Sequence, residues 1–117
     1  NEKNAHGKLS WEPWTEDKMK EYQNQGQVVF IDFTAKWCFT CKVNEKLVID
    51  TSSFKKLVDD NGIKLMLGDW TKYDPVIGDF LKKNGHVGVP AYFLIKADGS
   101  FVKLGETISI SEIQGYL

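Results

Sequence analysis

The sequence predicts an α/β sandwich: a mixed central sheet with helices on both faces. Three observations predict it. Val28-Val29-Phe30-Ile31-Asp32-Phe33 is apolar almost without a break and rich in β-branched and aromatic residues, the pattern of a strand buried on both faces. A helical stretch follows it, and then a second strand candidate, Ile63 to Leu67, so the three segments form a βαβ unit. Near the end, Ala91 to Lys96 and Ser100 to Leu104 flank Asp98-Gly99, a pair of residues that favours a type I′ hairpin and hence antiparallel strands.

The remaining elements follow in chain order. A short first strand falls near Lys8 to Trp11, within an N-terminal lead-in over residues 1–13. Thr15 caps a helix with Glu16 and Asp17 in its first turn, where acids favour the positive end of the helix, and the pattern runs to about Gly26. Lys42 to Val48 has good helix formers and neither glycine nor proline. Ser53 caps a further helical stretch through Val58, stopped by Asn61-Gly62. Asp74-Pro75 reads as an N-cap followed by proline at the first helical position, and the helix carries Val76, Ile77, Phe80 and Leu81 before Asn84-Gly85. Ser109-Ile110-Ser111-Glu112 has the spacing of a capping box, so the chain ends in a helix.

At 117 residues the chain has the size of one ordinary domain, expected over 1–117 and able to bury a core without disulfide staples or a structural metal. Fifteen basic and sixteen acidic residues, spread along the sequence, leave no tract suited to nucleic acid or anionic lipid. No apolar stretch approaches the roughly 20 residues of a membrane-spanning helix, so direct membrane insertion is not expected. A start at Asn1 reads as a processed product or an excised piece.

Two cysteines, Cys38 and Cys41, stand in Trp37-Cys38-Phe39-Thr40-Cys41-Lys42, between the buried strand and the helix. Disulfide exchange needs one thiolate to attack and a second thiol near enough to resolve the mixed disulfide. At a helix start, Cys38 lies beside unpaired backbone N–H groups that favour an anion, and Cys41 lies a turn further in. Cys38 is therefore read as the nucleophile and Cys41 as the resolving thiol. A purely structural bridge over so short a loop would stabilise the fold by only about 2 kcal/mol. A zinc site would need four ligands, and beyond the cysteines there are only His6 and His86, neither at finger-like spacing. No metal and no cofactor is expected beyond the redox-active Cys38/Cys41 pair.

Asp32 interrupts the apolar strand six residues before Cys38. It is either an outward-facing aspartate at the strand edge or a carboxyl group beneath the cysteines, with a raised pKa, relaying a proton to Cys41. Glu45, four residues after Cys41, is either a solvated helix glutamate or turned toward the same face as the pair. Two carboxylates there would oppose the Cys38 thiolate, raise its pKa and make the pair reducing. Val89-Pro90 is an ordinary loop proline or a cis bond holding a backbone edge open beside the cysteines. Trp37 and Phe39 form an apolar lip or belong to the core. Trp37, Phe39, Thr40, Val89 and Pro90 are the candidate substrate contacts. His86 reads as a loop residue, and no chemical role follows for Asp69-Trp70-Thr71.

These residues resemble the thioredoxin superfamily and, more closely, the C-terminal periplasmic domain of the DsbD family of thiol:disulfide interchange proteins. The resemblance runs from about Trp14 to Leu117. Its marks are Val29 to Cys38, Cys41-Lys42-Val43-Asn44-Glu45-Lys46, Asp69-Trp70-Thr71, Gly88-Val89-Pro90 and Leu104-Gly105-Glu106. Where a typical thioredoxin has Gly-Pro between its cysteines, this chain has Phe39-Thr40, which fits the DsbD group better but varies within it. The resemblance implies a thioredoxin fold and a monomeric domain at the end of a bacterial inner-membrane protein, facing the periplasm. It also implies that electrons arrive from a membrane-embedded cysteine pair and leave to an N-terminal periplasmic domain, which serves disulfide isomerases and cytochrome c maturation. Cys38, Cys41, Asp32, Glu45 and Pro90 match that family's functional positions. Two other readings share the fold: a free-standing thioredoxin-like disulfide reductase, against which Glu45 and Asp69-Trp70-Thr71 speak, and a binding module without turnover, against which the retained cysteines speak.

Overall fold

The structure, a computed structural model, describes residues 9–117. Strand β2 (Val29–Thr34) lies in the middle, with all six residues buried. It runs parallel to β3 (Lys64–Asp69) and antiparallel to β4 (Ala91–Ile95). Strand β1 (Trp11–Pro13) pairs in parallel outside β3, and β5 (Phe101–Lys103) pairs antiparallel outside β4, giving the order β1-β3-β2-β4-β5. The parallel neighbours β2 and β3 require a crossover. It consists of α2 (Phe39–Asn44), a π-helical turn (Glu45–Ile49) and α3 (Ser52–Asn61).

Alternation along β2 sends Phe30, Asp32 and Thr34 to one face and Val29, Ile31 and Phe33 to the other. On the first face Phe30, Leu65, Tyr92 and Leu94 pack with Val48 and Ile49 of the π-helical turn, with α3, and with Ile113 of α5 (Ile110–Gln114). On the second face Ile31, Phe33, Met66 and Phe93 pack with Met19 of α1 (Glu16–Asn24) and with Ile77, Phe80 and Leu81 of α4 (Pro75–Lys83). The expected mixed sheet with helices on both sides is present.

Several local expectations hold and others shift. Thr15, Asp74 and Ser109 cap their helices as expected, each side chain accepting a backbone N–H. The third helix begins earlier than Ser53: Thr51 is its cap, accepting from Phe54 N–H at 3.1 Å, and the helix continues to Asn61 with Gly62 left-handed at φ 61°. Threonine can do this because Thr51 precedes the helical dihedrals whereas Ser53 already lies inside them. The first strand, expected near Lys8 to Trp11, lies at Trp11–Pro13; Lys8 is outside the described residues. The hairpin is not type I′, which needs two residues with positive φ. Gly99 alone has it, at 89°, with its N–H bonded to Lys96 O and Lys96 N–H to Ser100 O, each at 2.9 Å, so a β-turn followed by a left-handed glycine makes a three-residue hairpin loop.

Gly68 shows how tightly the second face is filled. It pairs with Phe33, and a Cβ added there would meet the Phe33 ring. That ring is itself held by Trp14, Phe80 and Phe93 at centroid distances of 5.1, 5.6 and 5.8 Å. Gly68→Ala is expected to destabilise the fold by about 1–3 kcal/mol through overpacking. Urea denaturation measures it, and an unchanged midpoint would show that the Phe33 ring has room to move.

Candidate active site

Where β2 ends, the chain turns through Ala35-Lys36-Trp37, and Cys38 N–H donates to Ala35 O at 3.1 Å. Cys38 has extended backbone angles and caps α2, its sulfur accepting Cys41 N–H at 3.1 Å. A sulfur in this position is where backbone donors favour a thiolate. Cys38 and Cys41 are joined by a disulfide with Cα atoms 5.3 Å apart. Cys38 keeps 6% of its surface and Cys41 none, so Cys38 is the more accessible sulfur. Ala35 and the partly buried Val89 pack against the pair. The Val89–Pro90 bond is cis and Pro90 is buried at the head of β4, as one of the two sequence readings had it.

Asp32 is fully buried, which overturns the outward-facing reading. It stands directly across from Tyr92 in the β2–β4 register, on the face covered by α2. Glu45 is half-buried and accepts the Thr34 hydroxyl at 3.0 Å, so it too is turned toward the sheet. Asn44, buried between them in sequence, donates to the Tyr92 hydroxyl at 3.1 Å and to Glu106 O at 2.7 Å. Burial first, and then the Asp32 charge, push the Tyr92 phenol well above its ordinary range; Glu45 adds to this and the Asn44 hydrogen bond opposes it. Both carboxylates thus act on one buried hydroxyl, on the side of α2 that carries Cys41. Tyr92, Asn44 and Thr34 were not singled out from the sequence. The available signal was Asn44 itself, an amide three residues after Cys41 where the helix faces inward.

The π-helical turn belongs to this arrangement. Asp50 N–H reaches back to Glu45 O at 2.7 Å, five residues away, so the helix winds more widely there. A regular helix turns about 100° per residue, and widening it keeps Glu45, Val48 and Ile49 on the inward side.

Trp37, Phe39 and Thr40 are exposed beside Cys38, with Trp37 at 49% and Phe39 at 78%, so both belong to the lip and neither to the core. Asp69-Trp70-Thr71 acquires a structural part. The Thr71 hydroxyl accepts Lys36 N–H at 2.9 Å and donates to Asp69 Oδ1 at 2.5 Å, and Thr71 O accepts the Trp37 indole N–H at 2.9 Å. The end of β3 thereby fixes the residues leading into Cys38. Trp70 lies against Trp37 and Tyr73, and a Cβ on Gly78 or Gly88 would come within 3.4 Å of it. His86 is half-buried, edge-on to Phe93 at 5.4 Å, and burial lowers its pKa; it is a packing residue of the second face. His6 lies outside the described residues, among which no group of three or more His, Cys, Asp or Glu is placed to hold a metal ion.

The arrangement suits dithiol–disulfide exchange: one sulfur accessible at a helix start, one buried behind it, and carboxyl groups further in. A family profile described as Thioredoxin-like matches residues 10–97. The chain belongs to the thioredoxin-like family. Among thioredoxin-like relatives, it is 33% identical over 82 residues to the thiol:disulfide interchange protein DsbD of Pseudomonas sp. (strain JR1 / K1), a match covering 70% of this chain and 14% of that protein. It is 28% identical over 99 residues to DsbD of Vibrio cholerae serotype O1, covering 85% of this chain and 15% of that one. The chain therefore spans about one seventh of the length of these relatives. The oxidised C-terminal domain of DsbD from Neisseria meningitidis superposes with a TM-score of 0.70 at 21% identity, over 91% of this chain and 99% of that one. This thioredoxin-like chain carries Cys38 and Cys41 as a disulfide at the start of α2.

Thr71→Val removes both the acceptor for Lys36 N–H and the donor to Asp69. The Thr71 hydroxyl holds the Asp69 carboxyl below its ordinary range; burial opposes it, and the Thr71 backbone N–H, Lys36 and Lys72 assist. A depressed carboxyl pKa stabilises the fold above the unfolded aspartate range and loses that contribution as pH falls through the lowered folded value. Thr71→Val is expected to lower stability at neutral pH and to flatten the acid limb of the stability profile. Denaturation midpoints of both proteins between pH 7 and about pH 2 would check this, and parallel profiles would show that Asp69 owes nothing to Thr71.

Proposed function

We propose that this chain is one domain, spanning residues 1–117, of a larger bacterial inner-membrane protein, and that it relays electrons in the periplasm as a reductant. Electrons come from a membrane-embedded cysteine pair and pass to periplasmic partner domains. The similarity to DsbD over most of this chain supports the relay. The observation that carries the reducing direction is the placement of Asp32 and Glu45 on the Cys41 side of α2, both acting on Tyr92. Among the described residues no helix is long and apolar enough to cross a membrane, so the membrane pair would lie in another part of that protein.

The reaction balances within the pair. The Cys38 thiolate attacks one sulfur of a partner disulfide, forming a mixed disulfide and releasing the partner's other sulfur as a thiolate. Asp32 takes the proton of Cys41, and the Cys41 thiolate then attacks Cys38 sulfur. The second partner thiolate leaves, two electrons have passed to the partner, and the Cys38–Cys41 disulfide remains. The membrane pair resets it by the reverse exchange. Trp37, Phe39, Thr40, Val89 and Pro90 line the approach to Cys38 and receive the partner's backbone and apolar side chains.

Cys41→Ala leaves nothing to resolve the first step and is expected to trap a mixed disulfide through Cys38, detected by non-reducing electrophoresis and mass spectrometry. Failure to trap any partner disulfide would remove the enzymatic reading. The pair's potential, measured against glutathione buffers, should lie nearer the roughly −270 mV of thioredoxin than the roughly −120 mV of the oxidant DsbA.

Asp32→Asn and Glu45→Gln each remove a negative charge that opposes the Cys38 thiolate. The Cys38 pKa, followed by thiolate ultraviolet absorbance, should fall with each and furthest in the double variant, by about one pH unit or more. An unmoved Cys38 titration would leave both carboxyl groups with a structural role only.

A further inference from the structure

The outward side of α2 and its π-helical continuation carries a pattern that the exchange chemistry does not use. Phe39, Val43 and Leu47 recur every four residues and are exposed at 78%, 37% and 68%, so they form an apolar stripe that starts beside Cys38. Lys42 and Lys46 are exposed and run along that stripe. The only acid from residue 36 to residue 47 is Glu45, which is turned inward to Thr34. Lys36 and Lys72 stand on the other side of Cys38, near Asp69, whose carboxyl is taken up by Thr71.

Four lysines on other helices are neutralised locally. Lys18, Lys20, Lys55 and Lys56 are matched to acids three or four residues away on their own helices. Lys36, Lys42, Lys46 and Lys72 form no ion pair among the described residues. The exposed Lys42 and Lys46 thus present positive charge without an ion pair along the helix that begins at Cys38. Such a field steers oppositely charged partners and sets their register.

We propose that this stripe and its lysine border form a docking surface for a partner protein whose disulfide lies in apolar surface bordered by carboxylates. The proposal rests on the exchange reading above and names the chemistry of the partner that the same site selects. Phe39, Val43 and Leu47 bury against the partner's apolar patch. Lys42 and Lys46 meet its acids, and the contact continues directly into the attacking sulfur. A protein partner is favoured over an anionic lipid surface because the stripe begins at the one sulfur that must touch another disulfide.

The test uses reduced protein and two synthetic peptides, each closed by one disulfide with Phe and Leu beside it, one flanked by aspartates and the other by lysines. At about 20 mM salt the aspartate peptide should be reduced about tenfold faster, and the advantage should shrink at about 300 mM salt as screening rises. Lys42→Glu with Lys46→Glu should reverse the preference, whereas Lys55→Glu with Lys56→Glu on α3 should keep it. Val43→Ser with Leu47→Ser should slow both peptides and leave their ratio unchanged.

Equal rates for the two peptides, or a preference that survives Lys42→Glu with Lys46→Glu, overturn the proposal. Binding to phosphatidylcholine–phosphatidylglycerol vesicles that this variant abolishes, with no preference between peptides, overturns it in favour of a lipid surface. The neutral 2-hydroxyethyl disulfide separates the two levels: if the protein does not reduce it, the exchange reading fails as well. If it is reduced while the peptides show no preference, only the docking proposal fails.

Discussion

Asp32 sits at zero exposure in a strand that is covered on both faces, where water cannot solvate a carboxyl group. Much of the site follows from accommodating it. The residue across from it is Tyr92, a large side chain with a polar end, in a strand whose other residues are Ala91, Phe93, Leu94 and Ile95. Asn44 holds that phenol in place and ties α2 to the segment after β5 through Glu106 O. The helix carrying the cysteines is therefore seated on polar contacts as well as apolar ones. Buried polar contacts of this kind specify a single arrangement when they are satisfied.

The cysteine pair is held from two directions. From inside, Asn44 and Glu45 anchor the far end of α2 to β4 and β2. From outside, Thr71 at the end of β3 anchors the three residues before Cys38 through Lys36 N–H and the Trp37 indole. Neither set of contacts touches the sulfurs. Together they leave Cys38 little freedom to drift from its capping position, so its reactivity depends on strands that are among the most buried parts of the molecule.

The order of elements was legible because its signals are local. An unbroken apolar strand, the Asp74-Pro75 cap and the paired strands around Asp98-Gly99 each depend on a few adjacent residues. Cys38 and Cys41 were legible because spacing and position together define their chemistry. Asp32 was ambiguous, since a strand residue at its edge and one beneath a helix look alike until the strand has neighbours. Tyr92 and Asn44 were not legible: they are 48 positions apart, and their meaning lies in a contact between a strand and a helix. The π-helical turn was missed because nothing in Lys42 to Val48 departs from ordinary helix propensity; the wider winding arises from what the segment packs against. Asp69-Trp70-Thr71 marked a family without stating a reason, and the reason is hydrogen bonding across 34 and 35 positions.

Trp37, Trp70 and Tyr73 form a compact aromatic corner, with Trp37 stacked on Tyr73 at 5.4 Å and Trp70 edge-on to Tyr73 at 5.0 Å. Gly78 and Gly88 leave the space that Trp70 occupies, and its indole N–H donates to Asp74 O at 3.2 Å. Rings held at fixed tilts couple their electronic transitions, and such coupling gives near-ultraviolet optical activity that vanishes when the packing loosens. The corner touches the turn before Cys38, the start of α4 and the loop before Pro90. The chain thus contains an intrinsic chromophore whose dichroism registers any partner that parts Trp37 from Tyr73, without a label and without waiting for a sulfur to react.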